Sequence, residues 1–477
     1  MTGFINGIRT TRTISKKTTS SGSDFSVIGL IGIAPIFDVK EEDRTINSPK
    51  LVTTKEAGVK NFGYNRSDFT IPAALEAIYA RNDSAKVIVI NVFDPEKHKT
   101  SETVTKVFDA KNEIKIERDY ITNLVIKKGE STLTADTDYT VKDNLITIKT
   151  GSTAVQKGDE VTLTYDYADV SKVETKDIIG GVDVDGKRSG IEAFKDTVAL
   201  CRVKPRILIA PQFSTVTSVV NALDSLAAKF RAHVYIDPPQ GTSLENAIKG
   251  RGTAGEINLA INSENVEIIA PWVKVYNSYE GKYELRPASA YAAATRTYTD
   301  NEYGLHYSLG NQVIAGIEGT EYPVYFDIED ENSDSNLFNG NGITTIIYDD
   351  GWRFWGNRNS TFPGNENINS FTNEVRLGNY IDDGIAKGSR QFMAIPLLTP
   401  NIDDIVNFGK QFLANLALKG WIVGGDCWYN PAKNNADLLA KGKCKISRKF
   451  VGPPPLEELE YESDIDITYL ENIGGEG

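Results

Sequence analysis

The sequence predicts an α/β multidomain protein in which helices cover a mostly parallel sheet. Strand and helix patterns alternate over residues 25–98 and 173–340, which predicts one discontinuous middle domain. Residues 99–172 instead contain short alternating strands between polar turns, which predicts an inserted all-β outer domain. After Gly340 four of the five tryptophans fall within residues 352–428, which predicts a C-terminal α+β domain over 341–452 with its own aromatic core.

An extended arm is predicted at the N-terminus, over residues 1–24. From residue 8 to residue 24 the chain is rich in Thr, Ser and Lys, and only Ile8 and Ile14 are apolar. A segment with so few apolar side chains cannot build a core alone. We therefore expect Ile8 and Ile14 to contact another part of the assembly.

The middle domain is predicted from apolar runs of strand length separated by helical patterns. Val87–Val92 is apolar on both faces, as expected for a parallel strand that is covered on both sides. The other predicted elements are strands at Val27–Ile33, Arg206–Ala210, His233–Asp237 and Val266–Ala270, and helices at Pro72–Ala80, Gly190–Cys201 and Val216–Arg231. In the inserted domain the predicted strands are Asn123–Lys127, Tyr139–Lys142, Leu145–Thr150 and Glu160–Tyr167.

The C-terminal domain is predicted to contain a long helix from about Asp403 to Lys419 and a strand at Lys443–Val451. Asn401 is the expected N-cap of that helix, and Gly420 is expected to end it.

The last residues, 453–477, predict a second arm. Three prolines, Pro453 to Pro455, keep the chain extended, and beyond them apolar and acidic side chains alternate with a period of two. A strand of this kind either folds back as an edge strand or adds to a sheet in another molecule. The side chains that we expect to contact a neighbour are Leu459, Tyr461, Ile465, Ile467 and Tyr469.

Charge suggests where this strand binds. Residues 433–449 contain six basic residues against one acid, whereas residues 457–477 contain eight acids and no base. The Lys443–Val451 strand, with Lys443, Lys445, Arg448 and Lys449, is therefore the predicted receiving strand. The alternative is that both segments are simply solvated charged faces.

Several motifs come close to catalytic or ligand-binding patterns without completing them. The stretch GVDVDGKR at 181–188 has Arg where a phosphate loop needs Ser or Thr, so a polar turn is the better interpretation. HYSLG at 306–310 has a bulky His where a nucleophile elbow needs Gly. The acidic stretch 330–334 lacks the Gly and the closing Glu of a calcium loop. No cofactor, metal or catalytic residue is predicted.

Composition and charge argue against nucleic-acid binding, membrane insertion and secretion. The net charge of −13 argues against nucleic acid as a direct partner, since phosphate binding requires a basic surface. The longest apolar run, about residues 25–37, is too short to span a bilayer, so no membrane insertion is expected. Three widely spaced cysteines fit free thiols in a reducing compartment, and the N-terminus lacks a secretory pattern, so the protein is expected to stay where it is made.

Four aromatic or proline-rich stretches closely resemble contractile tail sheath proteins of bacteriophages and related particles. They are DGWRFWGNR at 350–358, KGWIVGGDCWY at 419–429 followed by the 443–450 strand and PPPLE at 453–457, VKPRILIAP at 203–211, and APW at 270–272. The resemblance covers most of the chain apart from residues 99–172. Within it, Trp352, Phe354 and Trp355 are expected to pack, while Arg353 and Arg358 are expected to bridge carboxylates.

The resemblance implies a structural, non-enzymatic subunit of a virion. In that family, hexameric rings stack around a tail tube, the arms add strands to neighbouring subunits, and contraction drives the tube through the bacterial envelope. The implied partners are other copies of the chain, the tube protein, and baseplate and tail terminator proteins, with assembly in the cytoplasm of the host bacterium. It also places a C-terminal helix against the tube, where Lys410 and Lys419 are the candidate contacts, and the inserted module on the exterior.

Two alternatives remain open from the sequence. A sheath of a DNA-free contractile bacteriocin or injection system would have the same sequence features. An α/β hydrolase or small-molecule-binding enzyme would need a convergent nucleophile, base and oxyanion donors, of which the sequence offers only near misses.

Overall fold

A computed structural model describes residues 24–142, 144–252 and 255–472. The strands are, in chain order, β1 (Ile28–Gly32), β2 (Lys50–Val52), β3 (Val87–Asn91), β4 (Lys99–Val107), β5 (Glu113–Lys115), β6 (Thr122–Lys128), β7 (Ser131–Thr132), β8 (Tyr139–Lys142), β9 (Leu145–Ile148), β10 (Glu160–Ala168), β11 (Ile207–Ile209), β12 (His233–Ile236), β13 (Val266–Ile269), β14 (Val273–Asn277), β15 (Lys282–Arg286), β16 (Gly319–Thr320), β17 (Ile343–Tyr348), β18 (Trp352–Trp355), β19 (Gly424–Tyr429) and β20 (Ile446–Val451).

The α-helices of the same residues range from five to 20 residues in length. They are α1 (Lys55–Phe62), α2 (Thr70–Arg81), α3 (Thr175–Ile179), α4 (Thr197–Cys201), α5 (Thr217–Phe230), α6 (Leu244–Arg251), α7 (Ser289–Glu302), α8 (Asp334–Gly340), α9 (Thr372–Gly388), α10 (Thr399–Leu418) and α11 (Ala436–Ala440). None of the described helices is both long and apolar enough to cross a bilayer.

An eight-stranded sheet organises most of the chain, in the order β18-β17-β13-β12-β11-β1-β3-β2. The six inner strands are parallel, and the edge strands β18 and β2 are antiparallel to their neighbours. The expected mixed α/β class with a mostly parallel sheet is therefore observed.

The two faces of this sheet carry separate apolar cores, because successive side chains of a strand point to opposite sides. Ile28 and Leu30 enter the core that helices α2 and α7 cover. Ile31, one residue further on, enters the core that α5 covers. On α5 the buried positions Val219, Leu223, Leu226 and Phe230 recur at helical spacing, which explains why this segment is an amphipathic helix.

The elements predicted for this region lie within a few residues of the observed ones, with one correction. The segment Gly190–Cys201 was expected to be a single α-helix, but Gly190–Asp196 is a 3-10 helix and only Thr197–Cys201 is α-helical. Gly190, the first residue of the 3-10 helix, lies against Gly180, so an ideal Cβ on Gly190 would lie 2.7 Å from the Gly180 Cα. This close backbone contact fixes the local path of the chain.

Residues 99–168 form two further antiparallel sheets, β4-β10-β6-β7 and β5-β9-β8, around a core of their own. Ile126, Ile146 and Leu163 are fully buried in it. Contacts with the rest of the chain include the ion pair between Arg66 and Asp119, at 2.8 Å, and stacked rings of Phe37 and Tyr120. The division of the chain into domains at 98/99 and 172/173 remains our proposal.

The expectation of one aromatic core after Gly340 is wrong. Strands β17 and β18 extend the large sheet, so Trp352 packs against the core beneath α2 and α7, and Trp355 contacts Phe326. Trp421 packs in a different core, between α9, α10 and β19. The tryptophans are close in sequence but do not pack in one core, because the chain leaves the large sheet between β18 and α9.

The long C-terminal helix begins earlier than predicted, at Thr399 instead of Asp403. The N-cap is Leu398 and not Asn401, which lies inside the first turn together with Pro400, whose missing N–H costs no hydrogen bond there. Its end agrees with the prediction, since Gly420 adopts a φ of 74° directly after it.

Candidate inter-subunit site

The C-terminal part of the chain contains a small sheet with open edges. Strands β19 and β20 pair with each other over six residues, from Gly424↔Val451 to Tyr429↔Ile446. Within the described residues no further strand joins either side of this pair. Unpaired strand edges offer a row of backbone donors and acceptors to another strand.

The C-terminal arm leaves from the end of β20 and remains exposed. Tyr461, Ile465 and Tyr469 expose 81%, 88% and 75% of their surface. The expected strand is not present, because residues 452–466 have no regular structure and Ile467–Asn472 form a 3-10 helix. A strand requires a partner for its backbone groups, whereas the local turn is stabilised by Asp466, which accepts hydrogen bonds from the backbone and hydroxyl of Thr468.

The predicted receiving strand is shorter and less basic than expected. Lys443 and Lys445 precede β20, which begins at Ile446. Arg448 lies on the strand but forms an ion pair with Asp382. Lys449 is exposed and lies over the ring of Trp428 at 5.9 Å, so it is the basic side chain of this strand best placed to meet the acidic arm. Ile8 and Ile14 lie outside the described residues.

The base of the arm is held by an arginine from the 350–358 motif. Arg358 Nε donates to Glu457 Oε1 at 2.8 Å, and its Nη2 donates to the other carboxylate oxygen. The guanidinium carbon lies over Phe371, 3.6 Å from the ring centroid. Bidentate pairing and stacking both orient the arginine, so Arg358 bridges a carboxylate as expected. Arg353 does not, since it donates to the backbone oxygens of Asp349 and Asn311.

A second contact fixes the point where the arm begins. Gly452 follows β20 and lies against the Glu374 carboxylate, so an ideal Cβ on Gly452 would be 2.4 Å from Glu374 Oε2. Burial raises the pKa of Glu374 to about 6, and a hydrogen bond from the Gly452 backbone opposes that rise. A side chain at this position would therefore require the Glu374 carboxylate to shift.

A buried ion cluster joins the C-terminal helices to the large sheet. Asp300 of α7 accepts from Arg376 of α9 through both oxygens, at 2.8 and 2.6 Å, and from Arg296 Nε at 2.8 Å. Ser26, just before β1, donates a further hydrogen bond to Asp300 at 2.8 Å. Burial alone would raise the pKa of Asp300, but the two arginines outweigh it and hold that pKa below its usual range.

Beside this cluster, further polar and aromatic contacts join α9 to segments of the large-sheet region. Arg206 pairs with Asp383 at 2.6 Å and lies over the ring of Phe25. Phe25 in turn contacts Tyr380 edge-on at 5.6 Å. The sequence gives no signal for these pairings, because the partners are far apart in the chain and only the fold brings them together.

The candidate tube-facing helix presents its two lysines on opposite sides. Both Lys410 and Lys419 are exposed. They are nine residues apart, which corresponds to about 180° around an α-helix. Lys410 shares an exposed stripe with Asp403, Asn407 and Ala414, whereas Lys419 follows the helix and lies over Trp421 at 5.9 Å.

The three motifs that come close to catalytic or ligand-binding patterns form ordinary turns. In the 181–188 stretch Asp183 Oδ1 accepts from the backbone of Asp185 and Lys187, so donors that a phosphate loop would offer are occupied. Ser308 Oγ accepts from the Gly310 backbone at 2.9 Å. Asp330 likewise caps the turn at Asn332. Among the described residues no three acidic, His or Cys side chains form a group that suits a metal ion.

Comparison with known proteins identifies the family. A tail sheath protein of Burkholderia phage BcepMu is 39% identical over 461 residues, covering 94% of each chain. The chain belongs to the phage tail sheath protein family. A sequence profile for the phage tail sheath protein central domain matches residues 186–360, and the tail sheath protein of Escherichia phage P2 is 30% identical over 62% of this chain and 72% of its own length.

Solved structures share the fold. The sheath complex of the extracellular contractile injection system PVC, in its contracted state, superimposes with a TM-score of 0.59 at 11% identity. The helical sheath of the anti-feeding prophage, also contracted, gives 0.57 at 14% identity, and each match covers 98% of this chain and 100% of the other. Because the relatives and fold neighbours are structural sheath proteins, the prediction that the chain is not an enzyme is confirmed.

Proposed function

We propose that the chain is the repeating subunit of a contractile sheath, in which hexameric rings stack around a tail tube and contraction drives the tube through a bacterial envelope. The observation that carries the proposal is an exposed terminal arm with an apolar face beside an open two-stranded sheet, in a member of the tail sheath family. Such an arm reaches its stable state only when a second molecule covers it.

Burial of the apolar side chains provides the main driving force for arm exchange. Leu459, Tyr461, Ile465, Ile467 and Tyr469 are all at least 60% exposed, and each contributes about 1.5–3 kcal/mol when fully covered. Ordering the backbone costs about 1–2 kcal/mol per residue, and each new hydrogen bond returns only ~0.5–1.5 kcal/mol. The arm therefore binds through its apolar face, and the 3-10 helix at its end opens when the strand forms.

The arm also explains how subunits stay joined while they move. Its base is fixed by Arg358–Glu457 and by the close contact of Gly452 with Glu374, whereas residues 458–466 carry no helix or strand. A fixed base followed by an irregular segment allows a neighbouring subunit to rotate without breaking the exchanged strand. The sheath thus changes its helical geometry while the connection persists.

The partners follow from this role. Copies of the chain form the sheath, its inner surface contacts the tube protein, and its ends contact baseplate and tail terminator proteins. Solved neighbours include sheath and baseplate assemblies of the anti-feeding prophage, which supports contact with a baseplate. Neither nucleic acid nor a membrane is a direct partner. The particle is a virion assembled in the cytoplasm of the host bacterium, and the inserted β-sheets decorate its exterior.

A sheath of a DNA-free bacteriocin or injection system is the second candidate, because solved sheaths of injection systems share the fold. The nearer sequence similarity is to phage proteins, which favours a phage. Neighbouring genes distinguish the two, because a phage requires capsid and terminase genes.

Electron microscopy of the purified full-length chain tests the proposal. We expect striated hollow cylinders at high protein concentration, because arm and receiving edge are present on every copy. A protein that stays monomeric across concentration and salt, while circular dichroism shows that it is folded, contradicts the proposal.

Charge reversal on α10 tests the tube contact. We expect Lys410→Glu to reduce the yield of sheath on co-expressed tubes, since Lys410 lies on the exposed stripe, and Lys419→Glu to have a smaller effect. Lys441→Glu is the matched control, because this exposed lysine lies outside the helix. Each variant should still form tube-free cylinders. Normal sheath on tubes with Lys410→Glu would show that another surface faces the tube.

A further inference from the structure

A cavity of about 150 Å³ lies at the carboxyl ends of the parallel strands. Pro211 follows β11, Gln240 follows β12 and Trp272 follows β13, and all three line it. The strand order reverses beside β11, because β1 is followed on one side by β3 and on the other by β11. Crevices at the carboxyl ends of strands near such a reversal are the usual ligand sites of open α/β sheets.

The opposite wall consists of the first turns of α2 and α7 and the end of β15. Ala73 lies on α2, Tyr291 on α7 and Arg286 at the end of β15. Gln212 and Gln240 are exposed, so they mark the mouth of the cavity on the protein surface. The cavity is therefore built from five separate parts of the chain and is accessible from solvent.

Two lining side chains indicate what the cavity accepts. Tyr291 is only 7% exposed, and its hydroxyl has no hydrogen-bond partner among the described residues. Burial raises the pKa of Tyr291, so its hydroxyl stays neutral and can both donate and accept. Arg286 is paired with Glu284, so its charge is already compensated. An anion would gain little from this arginine.

One part of the wall is apolar and fixed. Trp272 is 6% exposed, and its indole Nε1 donates to Pro238 O at 2.8 Å, which holds the ring in place. Leu285 and Ala290 add aliphatic surface. A cavity of roughly this volume is large enough for a benzene-sized ring.

We propose that this cavity binds a small uncharged aromatic compound with one hydrogen-bonding substituent, of the size of a phenol. The ring packs against Trp272, and the substituent forms a hydrogen bond with the Tyr291 hydroxyl. Because the site lies within one subunit, the proposal does not depend on sheath assembly, and its failure would leave the proposed function untouched.

Fluorine NMR titration of the full-length subunit with para-fluorophenol, and separately with fluorobenzene, tests the site. We expect saturable binding of both probes, with para-fluorophenol the tighter ligand. Tyr291→Phe keeps the shape of the cavity and removes one hydrogen bond, so it should weaken para-fluorophenol about fivefold and leave fluorobenzene unchanged.

A substitution that fills the cavity provides a second test. Ala73→Met should weaken both probes at least about tenfold, because the added side chain occupies the cavity. Ala80→Met, at an exposed position of the same helix, should bind like the unmodified protein. Absence of saturable binding to the unmodified chain, full binding to Ala73→Met, or unchanged para-fluorophenol affinity in a folded Tyr291→Phe protein each overturns the proposal.

Discussion

Deletion of residues 458–477 is expected to abolish assembly into cylinders while the rest of the chain remains folded. The truncation keeps the Arg358–Glu457 pair and removes side chains that contribute little to the fold of one copy, since Leu459, Tyr461 and Ile465 are at least 60% exposed. Sedimentation and electron microscopy measure assembly, and thermal unfolding measures stability. We expect monomers with an unchanged unfolding midpoint.

Point variants separate the two faces of the arm at constant length. Leu459→Asp together with Ile465→Asp places charge on the apolar face and should block assembly as strongly as the truncation. Glu460→Gln together with Asp464→Asn changes the alternate face and should permit assembly. If the apolar-face variant forms normal cylinders, burial of this face does not join the subunits. Equal loss in both pairs would show that the alternation has no role.

Asp300→Asn is expected to produce the largest loss of stability of a single side-chain change in this chain. It leaves Arg296 and Arg376, both under 2% exposed, without their shared counter-ion. Removing one partner of a buried ion pair typically costs about 3–5 kcal/mol, because the remaining charge is buried and uncompensated. Chemical denaturation followed by tryptophan fluorescence measures the loss.

Asp382→Asn is the matched control. Asp382 also pairs with an arginine, Arg448, but its side chain is 36% exposed, so solvent screens the pair. Its loss should cost less than about 1 kcal/mol. Comparable effects for the two substitutions would contradict the role assigned to the buried cluster.

The sequence was sufficient to predict the elements whose signals are local. Apolar runs of strand length marked β1, β3, β12 and β13, and period-two alternation with polar turns marked β8 and β10. The 350–358 and 419–429 motifs pointed to the sheath family. Each of these signals lies within a few consecutive residues, which is why it was visible without a fold.

Contacts between distant segments were beyond this kind of prediction. Ser26 and Asp300 are 274 positions apart, and Asp300 and Arg376 are 76 apart. Nothing in the local pattern of Asp300 distinguishes it from an exposed acid. Likewise Trp352 and Trp421 have similar surroundings in sequence but pack in different cores, because β18 joins the large sheet and Trp421 follows α10.

The C-terminal arm also combines features that the sequence determines with features that depend on the fold. The sequence by itself determined that residues 459–469 alternate between apolar and mostly acidic side chains and that three prolines keep the preceding residues extended. Only the tertiary structure decided that the apolar side chains stay uncovered and that Arg358 fixes the base of the arm. It also decided that Arg448 forms an ion pair with Asp382, whereas Lys449 remains available on β20. The physical reason is that alternation is a property of neighbouring residues, whereas exposure and pairing depend on what the folded chain places beside them.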